Sequence, residues 1–190
     1  MDKQSEPIQD VQYVYVIQGR NQVVRDAIYT FLTILGLQPI ASLKQQKGTP
    51  FMGEVLETAF GSAKAIIVLF TGEERVRLRQ ELQKPGDKNG ENTFVPQPGM
   101  DQIFKAGYAL NRFPERTILI QIGQVKLFSD IDGRYMPNFT GKEAEYRELI
   151  ERLREIGCVL KEDGKAWQYN ESFQQAFSPN PSKRSNRKRN

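Results

Sequence analysis

The six residues Ala65-Ile-Ile-Val-Leu-Phe70 decide the fold. All six are apolar, and a run of this length before Thr71-Gly72 is the pattern of a strand covered on both faces. Such a strand needs a layer above and a layer below it. Upstream, Tyr13-Val-Tyr-Val-Ile17 before Gly19 reads as another buried strand. From Asn21 to Leu35 the residues Val24, Ala27, Ile28, Phe31, Leu32 and Leu35 recur at helical spacing before a Gly36 stop. Leu37 to Ile40 reads as a short strand. Thr49-Pro50 combines an N-cap with a proline at the first helical position, and Met52, Val55, Leu56, Ala59 and Phe60 continue it as an apolar stripe. Downstream, Thr71–Gln97 is hydrophilic. It is expected to be helical over Arg75–Leu82 and then, from Lys84, a Gly-, Asn- and Pro-rich lid or flap. A helix over about Asp101–Asn111, a strand Thr117–Ile122, the loop Phe128–Gly133 and a helix over about Lys142–Ile156 follow.

This alternation implies an α/β fold, a parallel sheet with helices on both faces. Ligands of such sheets bind outside the carboxyl ends of the strands. Four segments meet there: Gln18–Asn21, Phe70–Glu74, the residues before Ile103, and Ile122–Arg134. No internal repeat is found.

The 190 residues suffice for one domain. A net charge of +4 hints at nucleic acid, but the last 13 residues hold Lys183, Arg184, Arg187, Lys188 and Arg189 and no acid, so without those five charges the body stands at −1. The tail reads as a disordered, solvated end, or as a weak and salt-dependent contact for an anionic partner. It has no interleaved aromatic residues for stacking bases. With no His and only Cys158, the chain has no Ser-His-Asp triad, no Cys-His pair and no Cys/His zinc site. No metal is expected, and acid–base work falls to carboxylates, Lys or Tyr. Cys158 is expected to be a small buried hydrophobe. The polar start and the lack of a membrane-length apolar run lead us to expect a soluble, cytoplasmic protein without a membrane partner.

Gln18-Gly19-Arg20-Asn21 runs from a strand into a helix. A glycine admits close backbone approach, a helix N-terminus offers free N–H groups, and an arginine suits phosphate, so the segment fits an anion cradle. It fits an ordinary strand-to-helix turn as well, being neither GxGxxG nor a Walker loop.

Six blocks, in order, resemble the bacterial TIR-like nucleotide-binding family: Tyr13–Asn21, Lys47–Phe60, Ala65–Thr71, Phe104-Lys-Ala-Gly107, Ser129-Asp-Ile-Asp-Gly-Arg134 and Arg152–Cys158. The resemblance spans about residues 11–160, with residues 1–10 as an N-terminal extension, 161–177 as a C-terminal segment packed through Trp167 and Tyr169, and 178–190 as the basic tail. It implies a flavodoxin-like fold and self-association. It also implies a role as an effector in cyclic-nucleotide anti-phage signalling, with cleavage of the nicotinamide–ribose bond of NAD+. No tightly bound cofactor is implied; NAD+ or another nucleotide would be ligand or substrate. Gly19, Arg20, Asn21, Thr71, Asp130 and Arg134 become the expected ligand-binding residues.

The family's catalytic glutamate aligns with Lys105, its His-Gly with Gln18-Gly19, and a common Asn with Asp101. Cleaving an N-glycosidic bond builds positive charge on the ribose, which a carboxylate stabilises and an ammonium repels. Losing one well-placed electrostatic contact costs a factor of about 10²–10³. Asp101 could substitute for the acid, as could Glu73, Glu74, Asp130 or Asp132 at the same edge. Asp101 could equally be an N-cap pairing with Lys105 at i, i+4. Lys105, a cation opposing the helix dipole, could instead hold an anion. Ser129–Arg134 either shapes the pocket edge or touches ligand. Three readings follow: a nucleotide-binding protein with degraded hydrolysis, an active glycohydrolase with a relocated acid, and a self-associating interaction module.

Overall fold

The computed structural model describes residues 11–41, 51–82, 93–127, 135–161 and Phe177. In chain order its elements are β1 (Tyr13–Ile17), α1 (Gln22–Ile34), β2 (Gln38–Ile40), α2 (Met52–Gly61), β3 (Ala65–Phe70), β4 (Glu74–Val76), β5 (Val95–Gln97), α3 (Met100–Arg112), β6 (Thr117–Gln121), β7 (Tyr135–Met136) and α4 (Glu143–Glu155). Five strands form one parallel sheet ordered β2-β1-β3-β6-β7. This is the flavodoxin-like order, with β4 and β5 set aside as a separate antiparallel pair.

Every side chain of β3 is buried, and its alternation divides the core in two. Ala65, Ile67 and Leu69 join the cluster formed by α1 and α4, whereas Ile66, Val68 and Phe70 join that of α2 and α3. Aromatic side chains anchor each layer. Phe31 of α1 lies 4.7 Å from Tyr146 of α4, ring centre to ring centre, and Phe139 stacks edge-on against Tyr146 at 5.3 Å. Phe60 of α2 meets Tyr15 of β1 at 4.9 Å on the other face. Fully burying side chains of this size stabilises by about 1.5–3 kcal/mol each. Phe177 is buried against Phe139, their ring centres 5.0 Å apart. Trp167 and Tyr169, to which the sequence assigned the packing of the C-terminal segment, lie outside the described residues.

Helix ends follow from local chemistry. The Asn21 side chain accepts the Val24 N–H at 3.2 Å and starts α1. Gly36, at φ +81°, stops it, and the Leu37 N–H returns to the Leu32 carbonyl at 3.0 Å. Cys158 is buried as expected, and burial pushes its thiol up to about 11.

Four expectations need correction. The helix over Arg75–Leu82 does not form. Val76 and Leu78 repeat at period two, and Glu74–Val76 pairs with Val95–Gln97 while the Arg77 guanidinium covers the Phe94 ring at 4.9 Å. Only Gln80–Leu82 turns, as a single 3₁₀ turn. The N-cap of α2 is Phe51, whose extended backbone (φ −59°, ψ 141°) ends the helix; Thr49 and Pro50 lie outside the described residues. The N-cap of α3 is Gly99, which places Asp101 at the second helical position, two residues inside the cap and within the first turn. A fifth parallel strand, β7, follows β6, too short at two residues to leave a periodic signal. No helix among the described residues is long and apolar enough to cross a membrane.

Helices α2 and α3 are tied at the surface. Glu57 accepts from Tyr108 Oη at 2.7 Å and from the Arg112 guanidinium at 2.8 and 3.1 Å. The Arg112 guanidinium, then the Tyr108 hydroxyl, lower the Glu57 carboxyl from an ordinary 4.5 to about 2. A lowered carboxylate stabilises the fold above its unfolded value and loses that contribution as pH falls through its folded value. Glu57→Gln is therefore expected to lower the melting temperature at pH 7, by a margin that shrinks from about pH 4.5 and vanishes near pH 2. A margin independent of pH would contradict the ion-pair assignment.

Candidate functional site

The sheet order reverses between β1 and β3: the chain leaves β1 through α1 toward β2 on one side, then returns to place β3 on the other. Helices α1 and α3 belong to opposite layers, so a crevice opens between their N-terminal ends at the carboxyl edge of β1 and β3. Three of the four segments expected there meet: Gly19 and Arg20 of Gln18–Asn21, Thr71 and Glu73 of Phe70–Glu74, and Gly99 and Asp101 of the residues before Ile103. The fourth is described only as far as Leu127, so Asp130, Asp132 and Arg134 lie outside the described residues.

A carboxylate occupies the crevice. Glu73 Oε1 accepts the backbone N–H of Arg20 and, at 3.1 Å, the hydroxyl of buried Thr71. The carboxylate fills the space where a Cβ on Gly19 would stand, so it lies directly against the backbone of the β1–α1 turn. The other oxygen, Oε2, lies 3.5 Å from where a Cβ on Gly99 would stand, and Asp101 Oδ1 lies 3.1 Å from the same point. Glu73 and Asp101 thus both carry an oxygen close to Gly99. Glu74, its neighbour in sequence, is exposed on β4.

Lys105 pairs with Asp101, Nζ to Oδ2 at 3.3 Å, in the i, i+4 geometry that the sequence suggested. The pair is half exposed, worth about 0.3–0.5 kcal/mol. Lys105 is the sixth residue of α3, beyond the first turn where the helix dipole acts, so the dipole offsets little of this. A contribution this small gives stability little reason for a lysine at this position.

Two glutamines complete the site, and sequence reasoning missed the role of one. Gln102 is fully buried: its Oε1 accepts the Gly99 N–H at 2.9 Å and its Nε2 donates to the Leu69 carbonyl at 3.0 Å. It fastens the start of α3 to the end of β3. Its signal was its position, since Gln102, Ala106 and Ala109 form the buried face of α3 at spacings of four and three. Gln18, at the end of β1, keeps a buried Oε1 without a hydrogen-bond partner among the described residues. Of the other expected residues, Asn21 spends its side chain on the α1 cap, and the Arg20 side chain stands exposed.

No group of three or more Cys, Asp or Glu side chains suited to a metal is found among the described residues. Two cavities of about 580 and 480 Å³ lie at the opposite, amino-terminal edge of the sheet, lined among others by Gly36 and Lys161 and by Lys64 and Arg116. Those lysines stand beside Gly36 and Gly157, where α1 and α4 end, the ordinary place for cations at helix C-termini.

A parallel sheet in this order, with helices on both faces and a crevice at its switch point, defines an α/β domain of flavodoxin-like class. Residues 13–141 match the family described as CAP12/Pycsar effector protein, TIR domain, and the chain belongs to that family. The protein tirC of Dictyostelium discoideum is 22% identical over 106 residues, 56% of this chain and 50% of that protein, so the chain spans about half the length of this curated relative. No solved structure matches it.

Gln102→Leu would leave the Gly99 N–H and the Leu69 carbonyl buried and unpaired. Urea denaturation is expected to show a loss of about 1–3 kcal/mol for each orphaned group. An unchanged midpoint would mean that α3 is held by packing alone.

Proposed function

We propose that the chain is a nucleotide-binding TIR domain that holds NAD+ or a related nucleotide in the β1–β3 crevice with its glycosidic cleavage degraded, acting in bacterial anti-phage defence through binding or assembly. The observation that carries this reading is the Lys105 ammonium at the position the family resemblance gives to the catalytic acid, held there by Asp101 at 3.3 Å. As NAD+ is cleaved, the ribose becomes cationic. An ammonium beneath it raises the barrier, and its partner Asp101 already spends its charge on Lys105. Binding asks less of the site: acceptors for ribose hydroxyls and a crevice at the switch point, to which Glu73, Asp101 and the unpartnered Gln18 oxygen contribute.

An assembly role is supported by apolar side chains left in water. Phe51 and Met52 at the start of α2 and Met100 and Phe104 on α3 are all exposed, and the bond from Tyr108 Oη to the Gly53 carbonyl at 3.1 Å holds these two helices side by side. Like-chain contacts are the partner this patch suits.

Glu73 favours the second reading, an active glycohydrolase with a relocated acid, since its carboxylate is the one that reaches both Gly19 and Gly99. Nicotinamide release from NAD+ separates the two. The proposed reading expects the natural chain to bind NAD+ and release nicotinamide at least about 10²-fold more slowly than its Lys105→Glu variant. Turnover in the natural chain that survives Lys105→Ala and disappears in Glu73→Gln or Asp101→Asn would replace it with the relocated-acid reading. A Lys105→Glu variant that binds NAD+ and stays inert would place the deficit elsewhere, with Gln18 the next position to change.

A further inference from the structure

We propose that Glu73 is a specificity-determining residue of the crevice: its carboxylate fills the anion cradle of the β1–α1 turn, so that phosphate is excluded from the cradle and a nucleotide presents hydroxyl-bearing groups there instead. The proposal rests on the reading of the crevice as a nucleotide site.

A cradle of this kind binds phosphate through a free backbone amide and the space beside a glycine. Here both are taken from within. The Arg20 amide donates to Glu73 Oε1, and that oxygen occupies the volume where a Gly19 side chain would begin. The Thr71 hydroxyl, buried at the end of β3, supplies a second donor at 3.1 Å to the same oxygen. A phosphate oxygen would need the same amide and the same space.

The backbone holds this carboxylate in place. The Glu73 N–H donates to the Gln97 carbonyl at 3.0 Å, at the first rung of the β4–β5 pair. Gly72, immediately before it, threads between Pro96 and Val125, whose carbons lie 2.7 and 3.2 Å from where a Cβ would stand. The start of the hairpin is therefore fixed against the β5 strand and the segment after β6, and Glu73 is the side chain it presents.

Its charge is not neutralised locally. Among the described residues no Lys or Arg forms an ion pair with Glu73; Lys105 is taken by Asp101, and the Arg20 guanidinium stands exposed. Glu73 Oε2 and Asp101 Oδ1 converge near Gly99, so the crevice offers acceptors on this side. The unpaired charge of Glu73 suits a ribose hydroxyl and disfavours phosphate at the β1–α1 turn, leaving a diphosphate to lie elsewhere along the crevice.

The test compares ADP with adenosine as calorimetric ligands of the full chain. Glu73→Gln keeps an oxygen for the Arg20 amide and removes the charge; Glu73→Ala also empties the cradle. Both variants are expected to raise the ratio of ADP to adenosine affinity at least about tenfold over the natural chain, ADP binding more tightly while adenosine weakens, most in Glu73→Ala, which loses the acceptor for the ribose hydroxyls. ADP affinity that is unchanged or weaker in both folded variants, with adenosine still bound, would overturn this proposal alone. Failure of every protein to bind either ligand would overturn the nucleotide reading and this proposal with it.

Discussion

The backbone of Ala65–Phe70 has no access to water, so each of its polar groups has to be paired inside the protein. Most of the architecture follows from that constraint. β1 pairs with β3 as far as Val68, and β6 pairs along the other side as far as Phe70. Beyond β1's last partner the Leu69 carbonyl would be stranded, and the buried Gln102 side chain takes it up; the Phe70 carbonyl takes the Ile122 N–H at 2.9 Å. Because Gln102 also holds the Gly99 N–H, the group that completes the strand is the group that places the start of α3. The crevice is thus built by the same hydrogen bonds that finish the core.

What fills this crevice is charge of both signs in fixed places. Glu73 lies on the Arg20 amide beside Gly19, Asp101 also brings an oxygen close to Gly99, and Lys105 is bound to Asp101. An ion pair this exposed adds little to stability, so its interest lies in what it does to a ligand. On the reading we propose, a developing ribosyl cation would meet an ammonium held where the family resemblance expects an acid, whereas a resting ribose would find carboxylate oxygens able to accept from its hydroxyls. Binding and cleavage place opposite demands on the same position, which is why we propose binding.

The fold was largely legible in the sequence because its main elements carry strong local patterns. The all-apolar run 65–70, the helical stripe from Val24 to Leu35 and the Asn21 and Gly36 ends of α1 are each specified within a few residues. The i, i+4 pairing of Asp101 with Lys105 was legible for the same reason. The parts that escaped depend on distant partners. Glu73 and Glu74 are indistinguishable as neighbours on one loop; Pro96, Gln97 and Val125 decide that the first enters the crevice and the second faces water. Likewise 74–76 becomes a strand because 95–97 is there to pair with it. Gln102 looks like a surface residue until the carbonyl it completes is placed beside it.

The central claim is that this crevice holds NAD+ without cleaving it. Saturation-transfer difference NMR of NAD+ with the full chain tests both halves in one tube. The account predicts saturation transfer to the adenine and ribose protons of NAD+, with no free nicotinamide accumulating over hours. Nicotinamide appearing well beyond one equivalent per protein, or NAD+ protons receiving no saturation at all, would contradict it.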